Sequence, residues 1–265
     1  MPFATSGDGT RIYYEVHGSG PAVAFVHGSG GHHAAWWQQV PALSDRHTVV
    51  TLDLRGFVRS DSGMDEFDAT TFPDDVLAVL CAAEVGPAVL VGQSIGAAAA
   101  LKAALRAPEL AAGVVLAHSL GGIDHPDLVA RVKADRAKAE QIPVLDRLLT
   151  PAFRQADPAK TFLFRQMGTF NTAKMADLRN LNVDGPTVDA VRTCRVPICL
   201  LAGELDAVLT VDTVRAAAAL LPEARVEIVP GAPHSMYWEA PEAFNAALVR
   251  FLEQVFAQQP ARAVS

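Results

Sequence analysis

Val89-Leu90-Val91-Gly92-Gln93-Ser94-Ile95-Gly96-Ala97-Ala98-Ala99-Ala100 decides how this chain is read. An apolar run meets a serine bracketed by two glycines and leaves as an alanine-rich segment, which predicts strand, sharp turn and helix with Ser94 at the tip. A serine on so tight a turn has a strained backbone, and a Cβ two residues before or after it would clash, so glycine fits at both places. The turn lifts the hydroxyl clear of the sheet edge. It also sets the backbone N–H of Ile95 in the first turn of a helix, where unpaired donors and the helix dipole favour an oxyanion.

Outward from this turn the pattern repeats. Ala22-Val23-Ala24-Phe25-Val26 is an apolar run of the kind buried on both faces of a parallel sheet. It ends in His27-Gly28-Ser29-Gly30-Gly31-His32-His33, and a helix is expected from Ala34 through Val40. Residues 2–6 and 10–17 read as a hairpin across Gly7-Asp8-Gly9. Further strands are expected at 47–52, 113–117, 198–203 and 225–229, with helices over 74–84, to Ala107 where Pro108 stops the turn-borne helix, near 210–220, and from Pro241 to Phe256. The alanine runs at 97–100 and 216–219 read as helix filler, and the tail after Gln258 as frayed. Strands alternating with helices require a parallel sheet with right-handed crossovers.

From Gly122 to Arg195 the rhythm changes. Ala, Arg, Lys, Leu and Asp recur at helical spacing, with prolines at 126, 143, 151 and 158 and no strand-like run. This predicts an inserted bundle of about four short helices, over the carboxyl ends of the strands, where ligands bind in open α/β sheets. The chain then divides into a core, 1–121, a helical lid, 122–195, and the rest of the core, 196–265.

Composition sets limits. The 265 residues are enough for a large core; half are hydrophobic, 19% are charged, and the net charge of −7 is spread without an acidic or basic block. That argues against nucleic-acid and anionic-membrane partners and leaves a small-molecule substrate as the expected ligand. Cys81, Cys194 and Cys199 suit neither a disulfide framework nor a metal pair and read as small core residues in a reducing compartment. The amino terminus carries no signal-peptide pattern and no apolar run is long enough to span a membrane, so a cytoplasmic location is expected. Oligomeric state is not legible.

A serine nucleophile needs a base, and the base an orienting acid. Asp206, in Glu204-Leu205-Asp206, follows the strand at 198–203, and His234, in Gly231-Ala232-Pro233-His234, follows that at 225–229. In a parallel sheet Ser94, Asp206 and His234 emerge at one edge. Glu204 stands as the alternative acid. His27 reads as a brace for its loop, and Asp53, Arg55 and Arg59 as a structural turn. His32 and His33 read as rim residues, since no carboxylate or cysteine stands at ligand spacing; no metal or cofactor is expected. His118 and Ser119 either line the pocket or pack.

These residues together resemble the α/β-hydrolase superfamily, of the small serine-hydrolase kind. The resemblance rests on His27-Gly28-Ser29-Gly30-Gly31, Asp53-Leu54-Arg55-Gly56 with Arg59-Ser60, the serine turn, Gly203-Glu204-Leu205-Asp206, and His234-Ser235-Met236-Tyr237-Trp238-Glu239-Ala240-Pro241 with Phe244-Asn245 and Phe251-Leu252. It implies a mostly parallel eight-stranded sheet with a helical lid between strands 6 and 7. The Ser29 amide would be a second oxyanion donor opposite Ile95, each donor worth about 3 kcal/mol of barrier. It also implies cleavage of a carboxylic ester or lactone. Trp36, Trp37, Met167, Phe170, Tyr237 and Trp238 are the candidate substrate contacts, which makes the substrate largely apolar and aromatic in character. Val58 stands where that family commonly has glycine, and the loop after His27 lacks the proline of perhydrolase-like members. A carbon–carbon hydrolase acting on a diketone is the alternative enzyme, though Ser235 replaces the tryptophan frequent there. A small-molecule sensor on the same scaffold is the alternative of another class.

Overall fold

The computed structural model describes residues 2–62, 67–171, 173 and 175–257; the tail after Gln258 lies outside them. The amino-terminal hairpin pairs β1 (Phe3–Thr5) with β2 (Arg11–His17). Then follow β3 (Ala22–Val26), α1 (Val40–Leu43), β4 (Thr48–Leu52), α2 (Phe72–Ala82), β5 (Ala88–Gln93), α3 (Ile95–Arg106) and β6 (Ala111–Ala117). Five helices come next: α4 (Pro126–Ala139), α5 (Val144–Leu148), α6 (Pro151–Ala156), α7 (Pro158–Met167) and α8 (Val188–Thr193). The chain closes with β7 (Ile198–Gly203), α9 (Val211–Leu220), β8 (Arg225–Val229), α10 (Met236–Glu239) and α11 (Pro241–Ala257). The eight strands form one sheet in the order β1-β2-β4-β3-β5-β6-β7-β8, parallel from β4 to β8 and antiparallel at the β1 and β2 edge. This is the α/β-hydrolase fold.

Side chains alternate across the pleat, so each central strand feeds two cores. Ala24, Val26, Leu90, Val114 and Leu116 join α2 and α3 in one. Val23, Phe25, Val89, Val91, Val115, Cys199 and Leu201 meet Trp36 and the α11 residues Phe244, Leu248, Phe251 and Leu252 in the other. Burial on both faces explains the unbroken apolar runs. The alanines after Ser94 are more than filler: Ala97, Ala100 and Ala103 are fully buried, and their small size lets α3 lie close against the sheet.

Two expectations need correction. The segment after His33 is a 3₁₀ turn over His33–Trp36 followed by the short α1. The His33 amide donates to Asp53 Oδ1 (2.6 Å), which diverts the entry, and Pro41 has no N–H to carry a continuous helix through. Cys81 is exposed, on the solvent side of α2, whereas Cys199 is buried and its thiol pushed up to about 12 by that burial. Val58 sits at φ +37°, a left-handed conformation costly for a β-branched residue, which is the physical reason a glycine suits that place.

The serine turn is wedged against β3. A Cβ on Gly96 would lie 2.4 Å from the Val26 carbonyl oxygen, and one on Gly92 2.4 Å from Ala97 Cα. We expect Gly96→Ala to lower unfolding stability by roughly 2 kcal/mol or more, as overpacking against backbone cannot relax by rotamer change. Urea denaturation of the two proteins measures this; equal midpoints and slopes would show that the wedge is not tight.

Candidate active site

Ser94 follows β5 with φ +53° and ψ −115°, a strained conformation for a side-chain-bearing residue, and its amide donates to the Ala117 carbonyl (2.9 Å). Ile95 is the first residue of α3, so its N–H belongs to the set that has no partner within the helix. Across from it the loop after β3 closes as a turn, with the Gly31 amide donating to the Gly28 carbonyl (3.0 Å). His27 Nδ1 donates to the Gly28 carbonyl (2.8 Å) and its Nε2 accepts from the Leu54 amide (3.0 Å). The ring is therefore held neutral in one tautomer, with burial pushing its pKa down. It braces the loop that carries Ser29.

Asp206 and His234 arrive from the ends of β7 and β8. His234 Nδ1 donates to the Asp206 carboxylate, at 2.9 Å to Oδ2 and 3.0 Å to Oδ1, which leaves Nε2 as the nitrogen open to the cavity. The amides of Val208 and Leu209 donate to Oδ1 (2.8 and 3.0 Å), and His118 Nδ1 donates to Oδ2 (3.0 Å). Burial alone would raise this carboxyl; the neighbouring His234 and the hydrogen bonds from His118 and His234 overcome it and hold Asp206 well below the usual carboxylate range. Glu204 instead accepts from the Gly231 amide (2.9 Å), on the exposed side of the loop that leads to His234.

Ser94 and His234 line one cavity of about 330 Å³. Ser29, Met167, Tyr237 and Trp238 are in its wall, as are Gln93, Ser235, Val144, Leu145, Leu148, Phe164 and Arg165. Three candidate contacts lie elsewhere. Trp36 is turned by the 3₁₀ geometry into the core between Phe25, Tyr237 and Phe244, with ring centroids at 4.7, 5.0 and 6.2 Å. Trp37 faces outward, its edge on Trp238, and Phe170 is 61% exposed, its edge on the His32 ring. Of the lid residues in the wall, Met167 is a sequence candidate, whereas Val144, Leu145 and Leu148 of α5 and Arg165 of α7 are not, although 144, 145 and 148 recur at the spacing of one helix face.

Helices of the segment between β6 and β7 are fastened to the loop behind His234. The Ser235 amide donates to the Leu148 carbonyl (3.0 Å), Trp238 Nε1 to the Lys160 carbonyl (3.3 Å), and Glu239 Oε2 accepts from the Thr150 amide (2.8 Å). Cavity wall and imidazole loop are one packed unit.

Asp53 also joins His33, whose Nδ1 lies 2.7 Å from Oδ1, and the carboxylate accepts from the Arg59 amide (3.2 Å). Arg55 is buried and donates to Asp75 and Asp8. These residues build a turn. The structure does bring a carboxylate beside His32 and His33, in Asp53, but its oxygens are already engaged by His33 and the turn. His32 is buried and pushed down to about 4 by desolvation.

A buried imidazole with a lowered pKa binds its proton more readily in the unfolded chain. Its contribution to stability is complete above the unfolded value near 6.5 and is lost as pH falls toward the folded value. His27, His32 and His118 share this sign, and Asp206 adds a further loss below about pH 4. Stability should therefore fall steadily from pH 7 to pH 4, by about 1–3 kcal/mol from His32 alone. His32→Gln should flatten that slope in denaturation midpoints taken at several pH values; an unchanged slope would refute the assignment.

The sequence profile of the α/β-hydrolase fold family matches residues 21–241. A 2-(acetamidomethylene)succinate hydrolase from Mesorhizobium japonicum is 28% identical over 251 residues, 89% of each chain. A thermophilic esterase from Thermogutta terrifontis superposes with a TM-score of 0.80 at 24% identity over 96% of this chain and 98% of that one. Est816, described as an N-acyl homoserine lactone degrading enzyme, superposes with a TM-score of 0.74 at 26% identity over 94% of this chain and all of its own. No helix among the described residues is long and apolar enough to cross a membrane. With a serine at the strand-to-helix turn and a carboxylate-bound imidazole lining the same cavity, on a sheet ordered in this way, this chain belongs to the α/β-hydrolase family and is one of its hydrolases.

Proposed function

We propose that the protein cleaves a carboxylic ester or lactone of a largely apolar small molecule through an acyl-enzyme on Ser94. The observation that carries this reading is the His234–Asp206 pair opening onto the cavity that Ser94 also lines. In this mechanism His234 Nε2 takes the Ser94 proton as the hydroxyl oxygen attacks the carbonyl. The tetrahedral oxyanion is received by the amides of Ile95 and Ser29, a preorganised pair of donors. His234 then passes the proton to the departing alkoxide, and in the second half activates water against the acyl carbon. Asp206 keeps the imidazole in the Nδ1–H tautomer and stabilises its charged form. The similarity to a lactone-degrading enzyme at 26% identity supports the same reaction class.

The wall indicates the kind of substrate. Leu145, Leu148, Phe164, Met167 and Trp238 make most of it apolar. Among the described lining residues Arg165 carries the permanent charge, and no carboxylate lines the cavity beside it. An acid-bearing ester therefore meets attraction at that wall, and a cationic one repulsion.

Two measurements test this. Turnover of a panel of aryl esters, lactones and a vinylogous diketone should be confined to the first two classes and fall by roughly four orders of magnitude or more in Ser94→Ala. Fluorophosphonate should label the native protein at Ser94. Turnover that survives Ser94→Ala, or a single turnover with a lasting adduct, would overturn the proposal. Arg165→Gln should reduce the preference for a carboxylate-bearing ester over its neutral analogue by about two- to fivefold, the scale of an exposed ion pair. Equal ratios in the two proteins would remove Arg165 from specificity.

A further inference from the structure

His118 is an imidazole that the reaction above does not use. It is the residue after β6, its amide continues the ladder by donating to the Leu201 carbonyl (2.8 Å), and its backbone is left-handed at φ +57°. Its side chain has no solvent exposure. Nδ1 lies 3.0 Å from Asp206 Oδ2, the same oxygen that His234 Nδ1 approaches at 2.9 Å, and the two rings stand 5.4 Å apart. Nε2 is buried with no hydrogen-bond partner.

A carboxylate only accepts, so the proton of a neutral His118 is on Nδ1 and Nε2 is a bare lone pair. A second proton would bury a cation and place an N–H where no acceptor stands, and burial accordingly depresses this imidazole. His118 is thus no second base. The chain bears two costs here, an unpaired buried nitrogen and a left-handed backbone, where an apolar side chain would incur only the second. Both are offset by one contact, that with Asp206.

We infer that His118 is a positioning residue: its Nδ1–H fixes the Asp206 carboxylate and divides that oxygen's charge between two imidazoles, so that His118 takes up part of the carboxylate's pull on the His234 ring. The inference rests on the proposed role of His234. Besides Asp206 and His118, the groups that share the His234 surroundings are Ser94 after β5, Tyr237 of α10 and Arg165 of α7. Among the described residues none of those three hydrogen-bonds the Asp206 carboxylate, and His118 is the second imidazole on it.

His118→Phe fills the same slot without a donor, and His118→Asn keeps an amide N–H at the position of Nδ1 in a residue that tolerates left-handed φ. In His118→Phe the acid limb of kcat/KM for an aryl ester should move up by about half to one pH unit, with the plateau retained within about threefold. His118→Asn should return the limb to its native position. An acid limb unmoved in His118→Phe, or His118→Asn indistinguishable from it, would overturn the inference. Histidine-selective ¹⁵N NMR of the native protein reads the same point without substrate: at neutral pH both His118 and His234 should carry the proton on Nδ1. A His118 protonated on Nε2 would sink the inference whether or not the ester panel is turned over, and failure of the panel alone leaves this measurement standing.

Discussion

Everything in this molecule follows from how closely the β5–α3 turn approaches the end of β3. There is no room for a Cβ on Gly92 or Gly96, because backbone atoms of Ala97 on one side and of Val26 and His27 on the other already occupy the space. That contact forces Ser94 into a left-handed backbone and presents its side chain at the sheet edge. Strain of this sort costs of order 1–3 kcal/mol and persists only where the surroundings over-determine it. Here the surroundings are the buried alanine face of α3, whose small residues pack against strands on either side of β5. Stability of the core and exposure of the hydroxyl are the same piece of packing.

The parallel sheet then supplies the partners. Strands β5, β6, β7 and β8 run in one direction and are adjacent, so the residues that follow them meet at one edge although more than a hundred positions separate Ser94 from His234. Two of those strand ends carry imidazoles and one a carboxylate, which collects four donors, two from backbone amides and two from rings. A buried charge is tolerable only when it is so fully hydrogen-bonded. The same logic recurs at Asp53, which accepts from His33 and from the Arg59 amide and so stiffens the turn beside the β3 loop.

The helices between β6 and β7 do more than cover this edge. Leu148, Thr150 and Lys160 are hydrogen-bonded to residues 235–239, immediately after His234, and Phe164 packs on Trp238 at 5.3 Å. A shift of α5 or α7 is therefore felt at the imidazole as well as in the shape of the wall. Lys102 of α3 donates to the Val183 carbonyl (2.7 Å) and fastens the far end of the same segment to the core.

Local chemistry sufficed for much of this. Apolar runs of five to seven residues bounded by turn formers marked the strands. Glycines two either side of Ser94 marked the turn, and the chain order of Ser94, Asp206 and His234 marked the candidate group, because each of these signals is carried by residues close in sequence. Which acid binds His234 was not of that kind: Glu204 and Asp206 are two residues apart, and only the direction of the loop after β7 sends one to Gly231 and the other to the imidazole. Nor could sequence separate Trp36 in the core from Trp37 on the surface, since neighbouring aromatics look alike until a 3₁₀ turn, set by the hydrogen bond from the His33 amide to Asp53 twenty residues on, rotates them apart. Sequence by itself determined the strands, the strained serine and the order of the candidate groups, which depend on steric rules local to a few residues. Tertiary structure alone decided that His118 shares the carboxylate of Asp206 and that Arg165 stands in the cavity wall, because both are meetings between side chains that the chain carries far apart.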